Sequence, residues 1–230
     1  AMTLIPGSTE YGYAPQVVTR QKQEGETEAL NRHVLHGPSD WTASIDELRA
    51  LCPNLEGVAL VVTWYGNDLR CGACSIRPGV TTRDGAGLSS VWQVSNATRA
   101  DAHLVSSYDG GASFGGTPSD QSVIDAIRDL RARGLKVTLY PFIMMDIAAG
   151  NTLPDPYGGM GQAAYPWRGE ITCFPAIGQE GTVDKSAAAG TQVSAFFGSA
   201  EAVHFSASGE VVHFSGGADW AYRRFILHYA

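Results

Sequence analysis

The chain has 230 residues, 44% of them hydrophobic, which is enough to bury one sizeable core and is usual for one domain, sometimes two. Its 23 acidic and 16 basic side chains give a net charge of −7, and lysine and arginine form no basic run. These features argue against binding to a nucleic-acid backbone. No apolar stretch is long enough to predict a membrane span.

Residues 1–38 show no sustained hydrophobic period and carry a polar stretch at 21–28. We interpret them as an N-terminal arm or linker and place the folded domain at 39–230. The first helix is expected after Ser39 and ends at Pro53, because apolar side chains recur there with the period of a helix. The apolar, glycine-bounded run Gly57–Gly66 then predicts a strand that is covered on both faces.

A second helix–strand unit follows. Ser119 can cap a helix, and Gly134 stands where a left-handed residue would end it. Lys136–Met145 reads as another buried strand, with a bulge or bend expected near Pro141. Further along, a helix is predicted at 184–197, a hairpin from 203–205 and 212–214, and a last helix from Asp219.

Helices that alternate with buried strands predict α/β packing around a parallel sheet, with right-handed crossovers. Only two parallel strands are clear from the sequence, whereas a complete eight-stranded barrel takes about 250 residues. Long loops at 67–118 and 147–183 use much of the length. We therefore expect no closed barrel within this chain.

Several long strings resemble one known family. They are residues 52–58, 64–79 (WYGNDLRCGACSIRPG), 115–120, 134–146 (GLKVTLYPFIMMD), 150–158, 165–169 and 219–229. Together they make the chain, over roughly residues 35–230, similar to the TIM-barrel-like domain of the large multidomain tail protein of gene transfer agents and related siphophages.

The resemblance implies a fold and a setting. The fold would be α/β and TIM-barrel-like, an incomplete barrel or the first part of one, with long inserted loops. The family is glycoside-hydrolase-like, and its parent protein sits at the baseplate hub, where it engages the cell envelope. The barrel of the family continues to a strand that ends in a Gly-Ser-Glu signature. That segment does not occur here, so the resemblance implies that this chain alone is inactive.

Two acidic residues are the candidate catalytic groups. Asp68 follows the first predicted strand and Asp146 the second, and barrel enzymes place catalytic groups at such strand ends. A pair of carboxylates could perform glycosidase chemistry, one as the acid and the other as nucleophile or base. The alternative, which we favour, is that both aspartates tie their loops to backbone amides.

Aromatic and polar side chains near the same strand ends are candidates for substrate binding, since aromatic rings offer flat apolar faces to sugars. The candidate set is Trp64, Tyr65, Asn67, Tyr140, Trp167 and Arg168, with Trp92 as a further ring. The same rings could instead belong to the core.

The four cysteines leave several alternatives open. Cys71 and Cys74 form a C-x-x-C pair, which could be a redox pair, a disulfide or half of a metal site. A four-thiolate zinc site would also need Cys52 and Cys173, which are dispersed along the chain, so we favour a loop-stabilising role without metal. No phosphate-binding loop, nucleophile elbow or zinc-protease helix is present, and no cofactor is expected.

The function expected from the sequence is that of a structural module in a phage-type tail tip or baseplate hub, located in the virion. Its partners would be other hub proteins, the remainder of the parent protein and further copies of itself, with a cell-envelope glycan as another candidate. The alternatives are a glycoside hydrolase that acts on peptidoglycan or surface polysaccharide, and a non-catalytic glycan-binding module. An enzyme needs two facing carboxylates, a glycan binder needs an exposed aromatic strip, and a structural module needs a surface left open for a partner.

Overall fold

A computed structural model describes residues 1–7, 9–164 and 170–230. The helices are α1 (Asp40–Leu51), α2 (Asp120–Ala132), α3 (Ala187–Phe197) and α4 (Tyr222–Tyr229). The longer strands are β1 (Met2–Leu4), β2 (Thr19–Gln23), β3 (Glu26–Ala29), β4 (Gly57–Gly66), β12 (Lys136–Met145), β13 (Phe205–Ser208) and β14 (Val211–Phe214). Between β4 and β12 lie the two-residue strands β5 (Ile76–Arg77), β6 (Gly79–Val80), β7 (Gln93–Val94), β8 (Ala97–Thr98), β9 (His103–Leu104), β10 (Ser107–Tyr108) and β11 (Gly111–Ala112).

Local sequence signals account for the two longest helices. Ser39 caps α1 by accepting a hydrogen bond from the backbone N–H of Thr42, and Ser119 caps α2 in the same way through Ser122. Gly134, just beyond α2, has a φ of 82°, which only glycine adopts without strain. Both predicted helices are therefore confirmed, as are the strand at Gly57–Gly66 and the hairpin of β13 and β14.

The central sheet contains three parallel strands in the order β1, β4, β12. β1 pairs with the first half of β4, and β12 pairs with its whole length, from Lys136 opposite Gly57 to Met145 opposite Gly66. The short β5 pairs antiparallel with the end of β4. This register places the residues that follow β4 and β12 beside each other at the carboxyl edge of the sheet.

The TIM-barrel-like fold expected from the sequence is wrong. Across the described residues the chain is a mixed, sheet-dominated fold with many short strands in small sheets, 21% helix and no closed barrel. The physical reason lies in two segments. Residues 67–118 form short strand pairings where a barrel would have a strand and a helix, and an antiparallel hairpin separates α3 from α4.

The strand β12 is half exposed, so the prediction of a second fully buried strand is also wrong. Its side chains alternate, with Lys136, Thr138, Tyr140 and Phe142 facing solvent. In the described part of the chain β12 pairs on one side only, with β4. The pairing continues past Pro141 without a shift in register, so the expected bulge is absent from the ladder.

Two hydrophobic clusters meet along β4. The first joins the first half of β4 to α1 and α2 through Trp41, Leu60 and Leu130. The second surrounds Trp64 at the end of β4 and includes Met145 and Phe225. Burial of these apolar surfaces is the main stabilising contribution in a fold whose sheets are small.

Residues 1–38, interpreted above as an arm or linker, contact the same core. β1 extends the central sheet, and Tyr13, only 1% exposed, donates hydrogen bonds to the carbonyls of Leu4 and Val61. Asn31, also buried, accepts from the N–H of Val18. No helix among the described residues combines the length and the apolar character that crossing a membrane requires.

Candidate functional site

The two candidate acids lie at the carboxyl edge of the central sheet, as their positions in the sequence predict. Asp146 follows β12, and its backbone N–H donates to the carbonyl of Gly66, the last residue of β4, at 2.8 Å. Asp68 lies two residues beyond Gly66. The sheet therefore brings both residues to one edge, where their surroundings decide what they can do.

Asp146 is buried and is hydrogen-bonded to a histidine. Its Oδ2 lies 2.6 Å from Nε2 of His103 and accepts the backbone N–H of Ser106 at 2.9 Å. Burial opposes ionisation of this carboxyl, but these hydrogen bonds outweigh burial and lower its pKa. Its Oδ1 is buried and has no hydrogen-bond partner among the described residues. Asp146 is thus an ionised group that substrate cannot reach.

His103 is the partly accessible member of this pair. Its side chain is 22% exposed, against 0% for Asp146, and the ring of Tyr65 stacks on it with centroids 5.8 Å apart. The hydroxyl of Tyr65 donates to the carbonyl of Gly115, which fixes the stacked ring. The buried carboxylate therefore orients the imidazole of His103, and the partly exposed side of that ring faces solvent. The sequence did not reveal this contact, because His103 is one of six histidines and lies 43 residues from Asp146.

Asp68 organises the loop that follows β4. Its Oδ1 accepts the backbone N–H of Arg70 at 2.8 Å and the Nε2 of Gln162 at 2.7 Å, and its Oδ2 pairs with the Arg70 guanidinium at 2.6 Å. Burial raises the pKa of this carboxyl, and the bonds from Arg70 and Gln162 lower it by more, so the net shift is downward. Asn67 also stabilises this loop, since its Oδ1 accepts a hydrogen bond from the N–H of Ser75 at 2.9 Å.

These contacts do not fit a glycosidase pair. One carboxyl of such a pair must keep a proton at working pH, which requires a raised pKa, and both must face the scissile bond. Asp68 and Asp146 are each buried, each has a lowered pKa, and each is engaged by neighbouring protein groups. The arrangement supports the loop-tying interpretation of both residues.

Most of the candidate sugar-stacking rings lie in the core. Trp64, Tyr65 and Trp92 are 0%, 2% and 5% exposed. Tyr140 is accessible at 48%, and the structure adds Phe142, at 36%, which sequence reasoning missed although it lies two residues further along the same face. Trp167 and Arg168 lie outside the described residues.

The cysteines do not form a four-thiolate site in the part of the chain that the structure describes. Cys71 and Cys74 lie in the loop after β4, whereas Cys52 lies before the first residue of β4. A ten-residue strand spans roughly 30 Å, so Cys52 is at the far end of the sheet. No three histidine, cysteine or acidic side chains cluster as metal ligands among the described residues. The neighbour of Cys71 is Cys173, whose Sγ is 3.7 Å from its own.

Two buried polar side-chain contacts away from this edge were also not predicted from the sequence. Glu10 pairs with Arg99 at 2.5 Å, with side chains 1% and 9% exposed. His228 of α4 pairs with Asp120 of α2 at 2.8 Å. Both pairs join residues at least 89 positions apart, and neither has a local pattern that would reveal it.

We expect Asp146→Asn to destabilise the fold by about 1–3 kcal/mol, because it removes a charge-assisted bond and buries an amide beside an unpartnered position. A carboxyl whose pKa is lowered by folding stabilises the fold at pH values above its ordinary pKa of 3.8. That contribution is lost as the pH falls through the pKa of the folded state. The difference in the free energy of unfolding between wild type and Asp146→Asn should therefore be largest at pH 7 and decrease below about pH 4.

Urea unfolding at pH 7 and again below about pH 4 measures this difference. Asp109→Asn serves as the control, since Asp109 is exposed and has a φ of 48°, which asparagine tolerates. The control should stay within about 0.5 kcal/mol of wild type. An Asp146→Asn variant as stable as this control would contradict the assigned role of the carboxylate.

No protein-family model matches the chain, and the curated proteins contain no match to it.

Proposed function

We propose that this chain is a non-catalytic assembly module that docks a protein partner onto the exposed side of β12. The docking surface, here the β12 face, consists of Lys136, Thr138, Tyr140 and Phe142. The setting we propose is a phage-type tail tip or baseplate hub in the virion, as the sequence resemblance implies. The partner would then be another hub protein, a further part of the parent protein or another copy of the chain.

The exposed pair of aromatic rings on β12 is the observation that carries this proposal. Tyr140 and Phe142 are 48% and 36% exposed on a strand of the central sheet. Lys136 and Thr138, earlier on the same face, are polar, so the face combines aromatic and polar side chains as protein interfaces do. A surface of this kind is what a structural module must leave open for its partner.

The partner is expected to pack on the face of β12 and not to extend the sheet at its edge. The N–H groups of Lys136 and Asp146 both point to the β4 side, where they donate to the carbonyls of Glu56 and Gly66. Because N–H groups alternate in direction along a strand, the odd-numbered residues direct theirs to the free edge. Pro141 lies at the centre of that edge and has no backbone N–H to donate. Its position therefore disfavours the pairing of a further strand with this edge.

Ring geometry favours a protein over a glycan as the occupant. The ring centroids of Tyr140 and Phe142 lie 6.5 Å apart and the ring planes are at 86°, an edge-to-face arrangement. Protein side chains pack well against such an edge-to-face pair. The flat platform of two coplanar rings that would stack a saccharide is not formed by this pair.

The contacts of the two acids support assembly over hydrolysis. Neither Asp68 nor Asp146 combines a retained proton with access to solvent. Turnover of peptidoglycan by the purified chain, abolished by Asp146→Asn while the fold persists, would overturn the non-catalytic assignment.

The docking role predicts that Tyr140→Thr with Phe142→Thr lowers incorporation into assembled particles at least tenfold. Truncating two central aromatic anchors typically costs about 2 kcal/mol or more, and about 1.4 kcal/mol is a factor of ten. Threonine keeps the strand propensity, so the fold should persist. The measurement is the amount of tagged protein in purified particles relative to a particle component.

Tyr157→Thr is the matched control, since Tyr157 is 44% exposed and lies in the loop after β12, off the β12 face. We expect its incorporation to equal that of wild type. Equal incorporation of the double variant would refute docking through the β12 face. Absence of the wild-type chain from purified particles would refute the tail-tip setting.

A further inference from the structure

The thiols of Cys71 and Cys173 lie side by side on two segments that are already paired. Their Sγ atoms are 3.7 Å apart. The backbone N–H of Cys71 donates to the carbonyl of Thr172 at 2.8 Å, and that of Thr172 donates to Leu69 at 2.9 Å. These bonds make Arg70 and Thr172 partners in a parallel bridge.

The bridge places the two cysteines within the range that a disulfide needs. Cys71 and Cys173 each lie one residue beyond the bridged pair, Arg70 and Thr172. Neighbouring strands run about 4.8 Å apart, and disulfides span Cα separations of about 4.4–6.8 Å. Sulfur atoms at van der Waals contact need only side-chain rotation and a small local shift to reach bonding distance, with no rearrangement of the fold.

We propose that Cys71 and Cys173 form a modification site that a small-molecule disulfide, such as oxidised glutathione, converts into an intramolecular disulfide. The Cys173 thiolate attacks one sulfur of the reagent, which forms a mixed disulfide and releases one thiol. The Cys71 thiolate then attacks the Cys173 sulfur and releases the second thiol. The two cysteines lose two electrons and two protons, and the reagent is reduced to two thiols.

Exposure sets the order of these two steps. Cys173 is half buried, whereas Cys71 is buried, so the reagent meets Cys173 first. Burial, followed by the contact with Cys173, raises the pKa of the Cys71 thiol to about 11. Because the thiolate is the attacking form in both steps, the cross-link should form faster at pH 8 than at pH 7.

The other cysteines are poor partners for Cys71. Cys74 is buried among core residues, its Sγ contacts the carbonyl of Ser75 at 3.8 Å, and burial raises the pKa of its thiol to about 11. Cys52 lies at the opposite end of β4 from Cys71. The partner of Cys71 is therefore Cys173, 102 residues away, and not Cys74 within the C-x-x-C motif.

The cross-link should stabilise the fold, because it closes a loop of about a hundred residues in the unfolded chain. The chain-entropy treatment of such a loop corresponds to a rise in Tm of roughly 10–20 °C for a chain of this size. The gain should disappear when a reducing agent is added. This proposal is independent of the docking role assigned to the β12 face.

The experiment incubates the folded full-length chain with oxidised glutathione at pH 8, followed by thiol counting, peptide mapping and thermal unfolding. We expect loss of the Cys71 and Cys173 thiols, a mapped peptide joining Cys71 to Cys173, and the rise in Tm. Cys52→Ser should behave as wild type, and Cys173→Ser should lose the cross-link while it keeps the circular dichroism spectrum of the fold. Retention of all four thiols in folded wild-type chain, or a mapped Cys71–Cys74 bond, would overturn the proposal.

Discussion

Trp64→Ala is expected to lose about 4 kcal/mol or more of folding free energy, because large-to-small changes of this kind in a core leave an unfilled cavity. Trp64 is fully buried, and its ring lies 5.1 Å from that of Phe225 and 5.9 Å from that of Trp220. Domains are stable by only about 5–15 kcal/mol, so the variant should be marginally folded. Chemical unfolding followed by near-ultraviolet circular dichroism measures the loss.

Tyr140→Ala is the control, because Tyr140 shares the aromatic character of Trp64 on the same sheet but is 48% exposed. Its cost should be below about 1 kcal/mol, since it leaves no closed cavity. If Trp64 instead served as a sugar-stacking ring, Trp64→Ala would leave stability near that of this control.

Glu10→Ala is expected to cost about 3–5 kcal/mol, because it leaves the buried Arg99 guanidinium without its counter-ion. Glu10 is 2% exposed, pairs with Arg99 at 2.5 Å and accepts the backbone N–H of Thr81 at 2.7 Å. The alanine side chain replaces neither bond. Urea unfolding should show a lower midpoint with little change in slope, since the same surface is exposed on unfolding.

The ion pair of Lys22 with Glu28 provides a matched comparison in the same chain. Its atoms are 3.1 Å apart, but the side chains are 49% and 47% exposed. Glu28→Ala should cost less than about 1 kcal/mol, because solvent screens an exposed pair. Equal effects of Glu10→Ala and Glu28→Ala would show that burial does not set the importance of the Glu10–Arg99 contact.

Local signals in the sequence predicted the helices and the two long strands, but not the strands within residues 1–38. The first helix begins after Ser39 and Ser119 caps the second, as expected, and the glycine bounds of β4 are its observed limits. The apolar run at β12 gave the correct strand but not its exposure, because Tyr140 and Phe142 are as apolar by composition as buried residues. The long segment 67–118 has no period, and its two-residue strands are defined by pairing with distant segments, which no local signal specifies.

The candidate site was predictable only as far as position along a strand allows. The strand ends correctly placed Asp68 and Asp146 at one edge. Their hydrogen-bond partners, however, include Gln162 for Asp68 and His103 for Asp146, which are 94 and 43 residues away in the sequence. The same limit applies to Cys71, whose close neighbour in sequence is Cys74 and whose neighbour in space is Cys173.

A photo-crosslinking phenylalanine analogue at position 142, tested in assembled particles, examines most directly the claim that the β12 face docks a protein. The same analogue at position 157 is the control. We predict a covalent product with a protein of the particle, or with a second copy of the chain, from position 142 and not from position 157. Incorporation of the labelled chain with no protein product at position 142, or with a saccharide product there, would contradict the assembly role.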